Sequence, residues 1–145
     1  MIQFTKAEKK HYDAILHLLK ENKLPISDLD EAKFAHFIVA AEPDEVIGCA
    51  GLEIFGSDAL LRSLSVKPSL QNKGLGSQLY DKIIGYARSI SVCNVHLLTT
   101  TAEKFFLRKG FLVSDRVNAP QSIQNCDEFK TICSSSSVYM QLNIG

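Results

Sequence analysis

Residues Leu60–Ser77 read LLRSLSVKPSLQNKGLGS, and the rest of the chain is arranged around them. Leu60, Leu61, Leu64 and Val66 form an apolar run broken by Arg62, Ser63 and Ser65, the pattern of a buried strand. Lys67-Pro68 ends it, because proline has no N–H to give to a ladder. Gln71-Asn72-Lys73-Gly74-Leu75-Gly76 follows, after which Leu75, Leu79, Ile83, Ile84, Ala87 and Ile90 recur at helical spacing. A strand therefore feeds a glycine loop, and the loop opens a helix. The first helical turn has N–H groups without partners and a partial positive charge, so the junction suits a phosphate. Gly74 and Gly76 let a ligand come close to the backbone. The segment lacks the three glycines of a dinucleotide fingerprint, and no Gly-Lys-Ser/Thr closes it as in a P-loop.

The 145 residues suit one domain spanning 1–145, long enough to bury a core without staples. Basic and acidic residues balance at 16 each, without a long basic run, so nothing points to nucleic acid. No apolar stretch has the length of a membrane span, and the N-terminus MIQFTKAEKKHY has no signal-peptide core. The expected location is the cytoplasm. Cys49, Cys93, Cys126 and Cys133 form no CxxC pair, so the usual zinc and redox spacings are missing and no metal is expected. Cys49 and Cys93 read as core thiols; Cys126 and Cys133 flank a helical turn and could meet.

Along the chain, Ile2–Phe4 reads as a short strand, and Thr5 with Glu8 as a capping box for a helix to about Asn22. Ser27–Lys33 reads as a brief second helix capped by Ser27 or Asp28. Phe34–Ala41, Val46–Phe55 and the central strand form an antiparallel meander through short turns, with Gly48 and Gly51 at a bend or a close backbone approach. After the central helix come a strand at Val95–Thr99, a helix at Thr100–Lys109 capped by Thr100 or Thr101, a stop at Gly110, and extended chain at Phe111–Val113. In the tail, Pro120 can start a turn, Asp127–Ile132 is a helical turn, Ser134–Ser137 a loop and Val138–Leu142 a last strand.

The pattern Gln-x-x-Gly-x-Gly at Gln71–Gly76, after a strand ending Leu64-Ser65-Val66, resembles the pyrophosphate-binding motif of the GCN5-related N-acetyltransferases (GNATs). Three strings narrow the resemblance: LLRSLSV at 60–66, LLTTTAEKFF at 97–106 and APQSIQNCDEF at 119–129 look like the small ArsN-type acetyltransferases associated with arsenic-resistance operons. Ser134 and Cys126 stand where that group suggests proline and threonine. The resemblance implies an α/β fold of the α+β kind, with a mixed, mostly antiparallel sheet flanked by helices. Its two central strands splay to admit a pantetheine arm. It implies an acetyl-CoA-dependent N-acetyltransferase acting on a small-molecule amine, in the ArsN case an anionic amino acid-like toxicant. Homodimers are frequent in the family. The rival readings are a protein or peptide N-acetyltransferase and a non-catalytic CoA-binding sensor.

The resemblance also assigns residues. Backbone N–H groups at Leu64, Ser65 and Val66 would meet the acetyl carbonyl, its developing oxyanion and the pantetheine, with Leu64 at the oxyanion. Gln71, Asn72, Lys73, Gly74, Leu75, Gly76 and Ser77 would take the pyrophosphate, and Phe105 and Phe106 would line the cofactor. Phe106 falls where many relatives carry a tyrosine that protonates the leaving thiolate, and a phenyl ring cannot do so. Glu53, among Leu52, Ile54 and Phe55, is the candidate base, or equally an exposed strand residue; His36 is the alternative. Arg62 inside an apolar strand either grips an anionic group of the acceptor or forms a salt bridge to Glu53 or Glu128. Thr99 and Thr100 end the next strand as candidate acceptor contacts.

Overall fold

A computed structural model describes residues 2–132 and 137–145. Cys133 and residues 134–136 lie outside the described residues, and with them the pairing of Cys126 with Cys133 and most of the serine loop. The described strands are β1 (Gln3–Lys6), β2 (Phe37–Glu42), β3 (Glu45–Phe55), β4 (Asp58–Val66), β5 (Asn94–Thr99), β6 (Leu112–Ser114) and β7 (Val138–Asn143). They make one sheet in the order β1-β2-β3-β4-β5-β7-β6. Every neighbouring pair is antiparallel except β4–β5. The helices are α1 (Tyr12–Glu21), α2 (Glu31–Phe34), α3 (Leu75–Ser89), α4 (Glu103–Arg108) and α5 (Gln121–Gln124). Ile15, Leu18 and Leu19 of α1 pack with Phe37 and Val39 on one face. The alternate β2 residue Ile38 joins Ile83, Ile84 and Ala87 of α3 on the other. This is the mixed, mostly antiparallel α/β architecture expected from the resemblance. No described helix is long and apolar enough to cross a membrane.

One irregularity organises β4. Cys49 pairs with Ser65 and Gly51 with Arg62, so two steps along β3 face three along β4. The extra residue makes a β-bulge, and Ser63 within it takes a left-handed φ of 59°. The bulge resets the alternation of side chains. Leu61, Leu64 and Val66 thereby all reach the α3 side. Leu60 turns to the opposite face, where Ile123 of α5 and Tyr139 cover it, and Arg62 turns that way toward Asp28. The run LLRSLSV, irregular as a strand pattern, is thus two regular half-strands joined out of phase.

β4 and β5 pair at Asp58–Asn94, Ala59–Val95 and Leu60–His96, and then part. His96 pins the junction: Nε2 lies 2.8 Å from Asp58 Oδ1 and Nδ1 lies 2.7 Å from Tyr139 Oη. Beyond it, the Leu64–Val66 end of β4 has no β5 neighbour, which is the splay the resemblance implies.

Several local expectations shift. Thr5 pairs with Val39 inside β1, and Glu8 caps the following turn, its N–H donating to His11 Nδ1 at 3.0 Å. The second helix starts later than Ser27, because the Asp30 carboxylate accepts the Lys33 N–H at 3.0 Å. Phe34 therefore ends α2 rather than opening β2. Cys93 is exposed, not a core thiol, while Cys49 and Cys126 are buried. Gly48 and Gly51 are both close approaches: a Cβ on Gly51 would lie 2.3 Å from the Phe37 ring, and one on Gly48 2.6 Å from Leu79. Phe37 is fully buried and cannot swing aside. Gly51→Ala is therefore expected to lower unfolding stability by roughly 1–3 kcal/mol. A urea transition with an unchanged midpoint would contradict the close approach.

Candidate active site

An open groove of about 820 Å³ lies between the free end of β4, the loop before α3, and α4. Leu64, Ser65, Val66, Gln71, Asn72, Gly74, Gly76, Ser77 and Phe105 line it. Thr101, a cap candidate in the sequence, joins the wall with Asn22, Leu24, Ala102, Lys104 and Arg108, which the sequence did not single out. Leu75 points into the core beside Val66 and Leu79, so it offers the groove only its main chain. Lys73 is exposed beside the loop. Phe106 is buried against Phe105, Tyr80 and Phe111. Thr99 Oγ1 accepts the Ala102 N–H at 2.9 Å, so Thr99, rather than Thr100 or Thr101, ties down the start of α4. Thr100 is exposed.

The loop end of the groove presents main-chain N–H groups and positive charge. Asn72 and Gly74 have φ of 64° and 86°, turning the chain so that α3 begins directly under the loop. Gly74 is the N-cap, with no side-chain cap and no acidic residue in the first turn. The first intrahelical bond runs from Gln78 N to Gly74 O at 3.1 Å, leaving the Leu75, Gly76 and Ser77 N–H groups ahead of it. Cations surround this end. Lys104 and Arg108 lie one turn apart on α4, and Lys109 Nζ donates to Ser77 Oγ and sits 5.2 Å over the Tyr80 ring.

The β4 end is braced from two sides. Lys67 N donates to Ile47 O at 2.8 Å, so the adjacent Gly48–Val66 pair turns its main-chain groups away from each other. Val66 O then accepts from Asn22 Nδ2 at 3.0 Å and from Gln71 Nε2 at 3.0 Å. Gln71 Nε2 also donates to Asn22 Oδ1 at 3.1 Å. Asn22 further donates to Ser65 Oγ. These bonds explain a glutamine at this point of the loop: it straps the loop to the strand. Asn22 escaped sequence reading because nothing local distinguishes it from an ordinary helix end.

On the face opposite α3, Arg62 gathers acidic residues distant in sequence. Its guanidinium donates to Asp28 at 2.6 and 3.0 Å, to Glu53 at 2.7 Å, to Ser63 Oγ at 3.1 Å and to Pro25 O at 3.4 Å. Glu128 lies 3.5 Å from its Nε. Lys33 adds a second cation, 2.6 Å from Asp28 and 2.8 Å from Asp127. Of the two readings of Arg62, the ion pair is thus present, with Asp28 as an added partner. His36 Nδ1 instead meets Tyr86 Oη of α3, at 2.6 Å.

This crowding separates the carboxyls. Burial works against Asp28, but hydrogen bonds from Arg62 and Lys33 outweigh it and hold its carboxyl at about 2. Burial pushes Glu128 up to about 7; Arg62 opposes this, and Glu53 and Asp28 add to it. Burial likewise raises the Cys126 thiol to about 11. The two acids pull the pH dependence of stability in opposite directions. Asp28 contributes above its ordinary range near pH 4 and loses that contribution as the pH falls toward 2. Glu128 contributes fully below about pH 4.5 and loses that contribution as the pH rises through about 7. Glu128→Gln should therefore gain stability relative to wild type between those values, by up to about 3 kcal/mol. Unfolding curves at a series of pH values check it; a constant difference would contradict the buried, raised carboxyl.

The profile of the acetyltransferase (GNAT) domain matches residues 33–113. An amino-acid acetyltransferase of Mycobacterium tuberculosis is 35% identical over 79 residues, which are 52% of this chain and 45% of that one. The chain thus spans under half the length of this relative. N-acetylglutamate synthase from Neisseria gonorrhoeae, solved with coenzyme A and N-acetyl-glutamate, superposes with a TM-score of 0.86 at 20% identity, covering 100% of this chain and 35% of that one. Rv2747 from Mycobacterium tuberculosis, solved in complex with CoA, gives 0.82 at 21% identity over 99% of both chains. With the family profile covering more than half of its length, the chain belongs to the GNAT acetyltransferase family.

Proposed function

We propose that the chain moves the acetyl group of acetyl-CoA to the amine of a small amino acid-like compound. The observation that carries this reading is the single groove joining an uncapped, acid-free helix start to the unpaired end of β4. A phosphate-tipped, thioester-bearing arm needs both. The pyrophosphate fits the N–H groups of Leu75, Gly76 and Ser77, with charge from Lys104, Arg108 and Lys109. The pantetheine fits along Leu64–Val66 as an added strand, and the acetyl group then sits at the bulge. There the Leu64 N–H is the candidate donor to the developing oxyanion. The names of the curated relatives and of the N-acetylglutamate synthase support an amino acid-like acceptor. The ArsN resemblance extends the candidates to phosphinic and arsinic analogues.

Arg62 in this reading organises carboxylates rather than gripping the acceptor, since its donors already meet Asp28, Glu53, Ser63 and Pro25. Phe106 has no proton to give, so the sulfur leaves as thiolate or takes a proton released by the amine.

Four measurements test the reading. CoA thiol release should be stimulated by at least one member of a panel of amino acids and their phosphinic and arsinic analogues; silence across amine classes would sink the activity. Acetyl-CoA should raise the melting temperature, by a stabilisation of about 2.7 kcal/mol at a hundredfold excess over Kd. Gly76 is a clean probe of the groove, because an added Cβ would meet nothing closer than Val66 at 3.8 Å. Gly76→Leu should fold yet lose the acetyl-CoA shift, and an undiminished shift would place the cofactor elsewhere. Arg62→Lys should lower kcat while changing KM alike for neutral and anionic acceptors. A KM rise confined to anionic acceptors would restore the anion grip.

A further inference from the structure

The mechanism above leaves the acceptor's proton without a destination. An amine enters near neutral pH as ammonium and has no lone pair until it loses a proton. Arg62 adjoins the bulge through Ser63, and the carboxyls gathered around it differ in how they are held. Asp28 is doubly hydrogen-bonded by Arg62 and bonded again by Lys33. Glu53 takes a 2.7 Å hydrogen bond from Arg62. Glu128 is 4% exposed, yet among the described residues its carboxyl has only the 3.5 Å ion pair to Arg62 Nε and no hydrogen bond. A buried carboxylate so thinly bonded is poorly stabilised as an anion and ready to take a proton.

Its place also fits. The Arg62 Nε that faces Glu128 donates to Ser63 Oγ, inside the bulge and next to Leu64 at the groove. Leu64 belongs to the α3 side and Arg62 to the opposite side. Beyond the Leu60–His96 pair no β4–β5 ladder separates the two sides. A thioester threaded from the α3 side would thus come up beside the carboxyl cluster, where an acceptor would approach.

We propose that Glu128, delivered by the C-terminal segment after α5, is the general base that deprotonates the acceptor amine, resting on the acetyl-transfer reading above. The ammonium gives one proton to the Glu128 carboxylate, directly or through one water, and becomes the free amine. The amine nitrogen forms a bond to the thioester carbon, whose carbonyl becomes an oxyanion at Leu64 N–H. Collapse re-forms the carbonyl and breaks the carbon–sulfur bond. The nitrogen's second proton passes to the departing sulfur, giving amide and CoA thiol. Glu128 then returns its proton to solvent. Besides burial, the charged groups that set its proton affinity are Arg62 on β4, Glu53 on β3, Asp28 in the loop before α2 and Lys33 on α2, and the Cys126 thiol of its own segment feels its charge in turn. The raised position near 7 suits a base at neutral pH. The sequence offers Glu128 as an ion-pair partner of Arg62, and the fold places it there.

The test is the pH dependence of kcat/KM for wild type, Glu128→Gln, Glu128→Asp and Glu53→Gln, using two acceptors whose amines differ in basicity. Wild type should rise through about pH 7 with both acceptors, marking an enzyme group rather than the amine. Glu128→Gln should lose that limb and about a hundredfold or more of kcat, while keeping the acetyl-CoA melting shift. Glu128→Asp should keep the limb at a reduced rate. A limb that persists in Glu128→Gln, or one that disappears in Glu53→Gln alone, overturns the assignment while leaving acetyl transfer intact. A wild type with no activity on any acceptor overturns the acetyl-transfer reading and this role with it.

Discussion

One extra residue in β4 decides what each side of this sheet does. A regular strand through LLRSLSV would put Leu61 and Leu64 on opposite faces. The bulge at Ser63 lets both join Val66 under α3 and sends Arg62 the other way. The same irregularity ends the regular part of β4 close to where β5 departs. A strand in mid-sheet is thereby left with an edge, which natural sheets otherwise cover. Here that edge becomes the wall of a groove whose far end is a bare helix start.

The second consequence is electrostatic. Once the bulge turns Arg62 inward, its charge must be met, because a buried guanidinium without partners is costly. The loop before α2, strand β3 and the C-terminal segment each send a carboxylate to it. Three acids cannot share one cation equally. Asp28 takes the bidentate place and is held strongly acidic, whereas Glu128 is left with the longest contact and the highest proton affinity of the two. The fold thus converts one structural necessity into two carboxyls with different protonation behaviour, the arrangement acid–base chemistry requires.

Much of this was legible in the sequence because it depends on local rules. The loop at Gln71–Ser77 announces itself through its glycines and the helical spacing after it, and the structure puts most of those residues along one groove. The β2-β3-β4 meander was open to reading because short turns force antiparallel neighbours. What was not legible depends on long-range pairing. Whether Arg62 meets Glu53, Glu128 or a ligand depends on the fold, and by local rules Ser27 and Asp28 are equally good helix caps. Asp30 holds that cap, two residues later, and frees Asp28 for Arg62. Asn22, Lys104 and Arg108 join the groove only through the packing of α1 and α4, so no spacing in the sequence marks them.

The central claim is that a CoA thioester lies in the groove with its phosphates on the start of α3 and its acetyl end at the bulge. Mapping backbone amide resonances while acetyl-CoA is added tests this most directly. The account expects the largest changes at Gly74, Gly76 and Ser77 and along Leu64–Val66, with smaller ones at Lys104 and Arg108. Changes concentrated elsewhere, for example in the separate hollow formed by His11, Ala41 and Glu45, or no changes at saturating acetyl-CoA, would contradict it.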